Sequence, residues 1–331
     1  MSNLPITNGA NGAVPRPPTF PLSHASRQKP RKWPLAFRFI KGAIHHVIIV
    51  PIAFHALFTA LIVHIDINLD HNLGVPSSIV PSLSIVVGLM LVFRNSSSYE
   101  RYWGGRTNLQ KIVTCVRNLT RSFLVCGPND HEEDRYETEK TVRCLVAILY
   151  AVKNYLRGNW GLTIAYEPEY EGLVPKGLKG HESEGVGLPL ELAFFVERYI
   201  KRGVERGSFN APQSSMLSGQ VNSIMDAFGA METIKLTPIP VCHQIHQKQV
   251  LGLYCCVLPF CLVDDLGWWT VPVISMVCFT LYGIEGIGEE LEDPFGVDKN
   301  DIKIDAILED VRQEVMSQLD SWKKCGEEYT L

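Results

Sequence analysis

The sequence predicts an all-α integral membrane protein with four transmembrane helices and a helical cytoplasmic domain between the second and the third. No lysine or arginine occurs between Lys41 and Arg94, nor between Lys248 and Lys299, and both stretches are rich in Ile, Val, Leu and Phe. Each is long enough to cross a bilayer twice at roughly 20 residues per crossing. Each is also interrupted once by polar turn residues: Asp66, Asn68, Asp70, His71, Asn72 and Gly74 in the first, Asp264 to Gly267 in the second. Backbone at membrane depth must satisfy its own hydrogen bonds, so these segments are expected to be helices.

The elements follow in order. Residues 1–34 form a basic, Pro-rich arm. Arg16, Arg27, Lys29, Arg31, Lys32, Arg38 and Lys41 all precede the first acid, Asp66. So few hydrophobic clusters predict disorder. A secretory signal would carry its apolar core closer to Met1; an organelle transit peptide fits the lack of acids, but the prolines oppose a long amphipathic helix. Residues 35–103 hold membrane helices at 37–65 and 77–103.

Residues 104–237 form the helical cytoplasmic domain. Apolar residues at three- and four-residue steps, such as Val142, Leu145, Val146, Leu149 and Tyr150, predict helices at 108–125, 136–156, 188–202 and 213–234. A Gly-, Pro- and Glu-rich flexible loop is expected near 158–187. Membrane helices at 240–263 and 268–291 make up the 238–291 segment, with Trp268 and Trp269 as interfacial anchors. A cytoplasmic loop and a helix over 302–319, capped by Asp301, complete residues 292–331.

Charge sets the orientation. The loops 66–76 and 264–267 carry acids and no Lys or Arg, whereas the arm and the 104–237 segment hold most basic residues. The positive-inside rule puts both termini and the middle domain in the cytoplasm or its equivalent, in a plasma or organelle membrane. The net charge of −4 and a mean hydropathy of +0.05 average over apolar and polar blocks and say little. The nine cysteines form no CxxC pair, and Cys255, Cys256, Cys261 and Cys278 fall in apolar runs, as small buried hydrophobes do. No GxSxG, Walker or strand-borne GxGxxG motif supports a soluble-type enzyme, and nothing predicts a nucleic-acid partner.

Three places could carry function. Ile85, Leu89 and Phe93 recur every four residues, flanked by Val86 and Met90, and form a narrow stripe on the second membrane helix. Such a stripe suits lipid or helix packing; it also suits a hydrophobic constriction that gates a pore by dewetting. Next, Arg94, Asn95, Tyr99, Arg101 and Trp103 crowd the inner end of that helix, as interfacial anchors or as an ion-paired junction with the soluble domain. Last, Glu290, Asp293, Asp298 and Asp301 lie in an oxygen-rich loop that suits calcium or a solvated acidic turn, without EF-hand spacing. A metalloenzyme would draw on His45, His46, His55, His64, His243 and His246, whose spacings do not repeat.

The chain resembles the bestrophin family, especially its bacterial, plant and fungal branch. The resemblance rests on Phe93-Arg94-Asn95-Ser96-Ser97-Ser98-Tyr99-Glu100-Arg101-Tyr102-Trp103 with Gly105-Arg106. It rests also on Pro240 through His246-Gln247-Lys248-Gln249 to Leu258-Pro259-Phe260, and on Glu292-Asp293-Pro294-Phe295-Gly296 with Asp298, Asn300-Asp301 and Asp305. It spans roughly residues 35–315.

The resemblance implies a homopentameric, mostly anion-selective channel, not an enzyme. Ile85, Leu89 and Phe93 match its neck, with aliphatic Leu89 where animal members tend to be aromatic. Asp298 and Asp301 match the carboxylates of the animal calcium clasp, with Glu290 and Asp293 at its backbone positions, but Val297, Lys299 and Asn300 interrupt the acidic run. Calcium is the one cofactor implied; the partners expected are further copies of the chain, membrane lipids and monovalent anions. A cation-selective channel, a histidine-based membrane metalloenzyme and a non-conducting scaffold are the alternatives.

Overall fold

The computed structural model describes residues 44–68, 73–128, 131–159, 170–174 and 187–328. The basic arm and most of the 158–187 loop lie outside the described residues. Every regular element among the described residues is helical. In chain order these are α1 (His45–Asn68), α2 (Val80–Cys126), α3 (Glu132–Leu156), α4 (Leu188–Glu205), α5 (Ala211–Leu236), α6 (Val241–Leu266), α7 (Thr270–Glu292) and α8 (Ile304–Glu328).

Local chemistry sets most boundaries. Pro81 sits in the first turn of α2 and Pro189 in that of α4, where a missing N–H costs nothing. Asn210 and Gln213 form a reciprocal capping box at the start of α5. Gly267, at φ +52°, ends α6 in a conformation that few L-residues adopt.

Three stretches are long and apolar enough to cross a membrane: His45–Asn68, Ser77–Cys126 and Val241–Glu292. The last contains both α6 and α7, parted by a short 3-10 turn at Gly267–Trp269. Length and hydropathy therefore mark three stretches where the sequence predicts four helices.

The long helix departs most from expectation. Where the sequence predicts a membrane helix ending at 103 and a separate one from 108, α2 runs unbroken for 47 residues, about 70 Å at 1.5 Å per residue. It joins two cores. Val87 and Leu91 of its first half pack with Leu251, Cys255 and Leu258 of α6 and Ile274 and Cys278 of α7. Its second half, from Leu109 to Phe123, packs into a larger core with α3, α4, α5 and α8. At the centre of that core α3 is buried on every side from Cys144 to Val152, as suits a helix apolar all round.

Candidate functional site

The stripe on α2 stays exposed among the described residues. Ile85, Leu89 and Phe93 are 71%, 54% and 61% exposed, whereas Val87, Leu91, Arg94 and Ser98 of the same helix are buried against α6 and α7. Because α2 is continuous, the face persists. At 100° per residue the strip continues through Ser96, Glu100, Trp103, Thr107, Lys111, Thr114 and Arg121, all exposed. Its character changes along the way. It is apolar as far as Phe93, hydroxyl-bearing at Ser96, then charged or polar except at Trp103. Such a strip is suited to line a passage that is narrow and dry at one level and wet below it.

Other apolar surface is exposed too. Ile49, Val50, Phe54, Leu57 and Leu61 of α1, with Met276 and Phe279 of α7, form the outward faces of the bundle. From Ile49 to Leu61 the exposed positions of α1 are all apolar, as a lipid contact requires.

The junction residues are engaged from within the protein. Arg94 is 2% exposed and pairs with Glu292 at 3.1 Å. Glu292 is a hub: its carboxylate also accepts from Gln244 Nε2 at 2.8 Å and from the Ile239 N–H at 3.2 Å. Arg101 donates to three backbone carbonyls, those of Ile234 (2.5 Å), Thr237 (2.7 Å) and Glu292 (3.0 Å). Those groups end α5 and α7, where carbonyls lack intrahelical partners and the helix dipoles favour a cation. Both arginines thus serve the joint between the apolar bundle and the larger core. Lys235 adds an ion pair to Asp293 at 2.6 Å. Tyr99 and Trp103 stack at 6.5 Å with both rings exposed, while Asn95 is half-buried and its Oδ1 makes no hydrogen bond among the described residues. Glu292, Gln244 and the carbonyl-bearing ends of α5 and α7 are not recognisable in sequence, because nothing local marks them as partners of residues far upstream.

The acidic loop after α7 closes on itself. Asp301 is buried and its Oδ2 accepts from the Asp298 N–H at 2.7 Å. Burial pushes the Asp301 carboxyl up, against the effect of that hydrogen bond. Glu290 accepts from Asn300 Nδ2 at 3.0 Å, and Asp293 is held by Lys235. No three of Glu290, Asp293, Asp298 and Asp301 gather their carboxylate oxygens, and the backbone carbonyls that calcium also accepts lie in the same loop. Phe295 of the same loop is buried against Gly105, where a Cβ would come within 2.9 Å of the ring.

The histidines are dispersed. His46, His64, His243 and His246 are exposed, and His64 bonds Asn68 at 2.7 Å. His55 is buried, bonded to the Tyr282 hydroxyl at 3.0 Å. Among the described residues the one close group of metal-ligating side chains is His55 with Cys255 and Cys278.

Comparison with known proteins agrees with this architecture. The family model described as bacterial/fungal bestrophin protein matches residues 24–317. A voltage-dependent anion channel-forming protein of Nostoc sp. is 36% identical over 274 residues, covering 83% of this chain and 86% of the relative. One from Synechocystis sp. is 32% identical over 305 residues, covering 91% and 97%. Crystal structures of a bacterial bestrophin homologue from Klebsiella pneumoniae carrying single substitutions superpose on the fold. One such structure has a TM-score of 0.73 and 24% identity, covering 82% of this chain and 99% of that one. With a family match across the bundle, the joint and the larger core alike, the chain belongs to the bestrophin family.

Proposed function

We propose that this protein is the subunit of an anion channel that passes chloride or similar monovalent anions passively through a central pore. The observation that carries this is the exposed strip of α2, apolar at Ile85, Leu89 and Phe93 and mostly polar below, in a chain related to proteins named as anion channel-forming. Symmetric copies around an axis would bring the three apolar residues together as a neck, and the homopentamer implied by the resemblance provides that axis. A dehydrated constriction gates by wetting and drying. Below it, Lys111 and Arg121 would attract anions from the cytoplasmic side.

In this reading α1, α2, α6 and α7 cross the bilayer. The soluble core of α3, α4, α5 and α8 lies in the cytoplasm with both termini. Glu100 on the same strip, with the acids of the outer turns, supports a second reading in which cations pass. The reversal potential of purified protein in a planar bilayer under a potassium chloride gradient decides between them. A reversal near the chloride equilibrium potential is expected. One near the potassium potential would leave the pore but reverse the selectivity, and silent bilayers from verified oligomers would remove the channel itself.

A further inference from the structure

We propose that His55, Cys255 and Cys278 form a zinc(II) site inside the membrane-spanning bundle. The three residues come from three helices, α1, α6 and α7, and each is at least nine-tenths buried. Their ligand atoms all lie within 4.8 Å of one another. Zinc bound to sulfur at about 2.3 Å and to nitrogen at about 2.0 Å holds its ligand atoms roughly 3.5–4 Å apart, so small side-chain rotations close the site.

The histidine ring is held in place by its neighbours. Its Nε2 shares a hydrogen bond with the Tyr282 hydroxyl at 3.0 Å, and the two rings lie 5.7 Å apart. A partner on one ring nitrogen fixes the tautomer and presents the other to a metal. The other nitrogen, Nδ1, hydrogen-bonds the Cys256 thiol at 3.8 Å, a contact that metal binding at Nδ1 would replace. Around the cluster stand Leu251, Leu258 and Ile274.

Ligand chemistry and charge select the ion. Two thiols and an imidazole are soft or borderline donors, so the oxygen-seeking calcium and magnesium are excluded. Binding releases the two thiol protons to solvent; the dication with two thiolates and a neutral imidazole is then uncharged. Neutrality matters in a bundle that crosses a bilayer, where net charge is costly. A copper(I) ion on the same two thiolates would leave a buried negative charge. The site would clasp α1 to the α6–α7 pair, away from the exposed strip of α2, so it stands independently of what the pore conducts.

The test uses full-length protein purified in detergent without chelator, with metal content measured by plasma mass spectrometry. Stoichiometric zinc is expected in the wild type and in Cys242→Ser, whose cysteine is exposed, and loss of that zinc in Cys255→Ser/Cys278→Ser. Protein that is metal-free and takes up no added zinc would overturn the site. So would zinc retained in the double variant, copper in its place, or a disulfide between Cys255 and Cys278 found by thiol mapping. Should the double variant not accumulate, cobalt(II) loaded into the wild type still decides: a thiolate-to-cobalt charge-transfer band supports the site, and its absence refutes it.

Discussion

Arg94 and Glu292, 198 residues apart in sequence, pair at 3.1 Å with the arginine almost wholly buried. Among the described residues the other two guanidinium nitrogens, Nε and Nη1, have no hydrogen-bond partner, and Glu292 is the one carboxylate bonded to the arginine. Removing one member of such a pair strands a buried charge, at a cost of about 3–5 kcal/mol. Glu292→Gln should therefore lower the thermal midpoint markedly in detergent. Adding Arg94→Met should recover part of the loss, since it removes the stranded charge. Additive losses in the double variant would show that the two residues are not coupled.

Exposure within the chain makes the proposed neck separable from folding. Ile85, Leu89 and Phe93 touch little in the subunit, so their joint replacement by alanine should leave each chain folded. Widening and wetting the constriction should raise single-channel conductance several-fold and weaken gating. Unchanged single-channel records from the triple variant would take the strip out of the pore.

Adjacent glycines on α2 should respond with opposite signs. A Cβ on Gly105 meets Phe295 at 2.9 Å, so Gly105→Ala forces a shift, and Gly105→Val should cost about 1–3 kcal/mol through overpacking. A Cβ on Gly104 meets only Ile234, at an ordinary 3.4 Å. Gly104→Ala should stabilise the helix by up to about 1 kcal/mol through propensity. Thermal melts of the two alanine variants check the contrast, and equal effects would contradict the close packing of Phe295 on α2.

Acid should loosen α8 through Glu139. Burial works to raise that carboxyl, but hydrogen bonds from Lys323 at 2.5 Å and Arg143 at 2.9 Å outweigh it and hold the group below its ordinary value. A depressed folded-state pKa contributes stability that is present above the unfolded value, about 4.3, and is lost as pH falls through the folded one. Hydrogen exchange over residues 316–324 should thus rise below about pH 4, and Glu139→Gln should flatten that rise. An identical acid response in the variant would assign it to other carboxylates.

The sequence by itself determined the α-class, the apolar helices of the bundle and the amphipathic helices of the core. The reason is local: charge-free apolar runs, three- and four-residue periodicity and Pro or Gly at the ends depend on nearest neighbours along the chain. The helices near 136–156, 188–202, 213–234 and 240–263 therefore appear within a few residues as α3, α4, α5 and α6. The stripe at Ile85, Leu89 and Phe93 was legible for the same reason, as a period on one helix.

Only the tertiary structure decided the rest. Gly104 and Gly105 weigh locally against a helix, yet α2 continues through them because Gly105 lets Phe295 approach and both cores hold the helix on either side. Arg101 finds carbonyls more than 130 residues downstream, and His55 meets sulfurs on two distant helices. Pairings of that kind depend on how helices pack, and no periodicity along the chain encodes which buried polar group will face which.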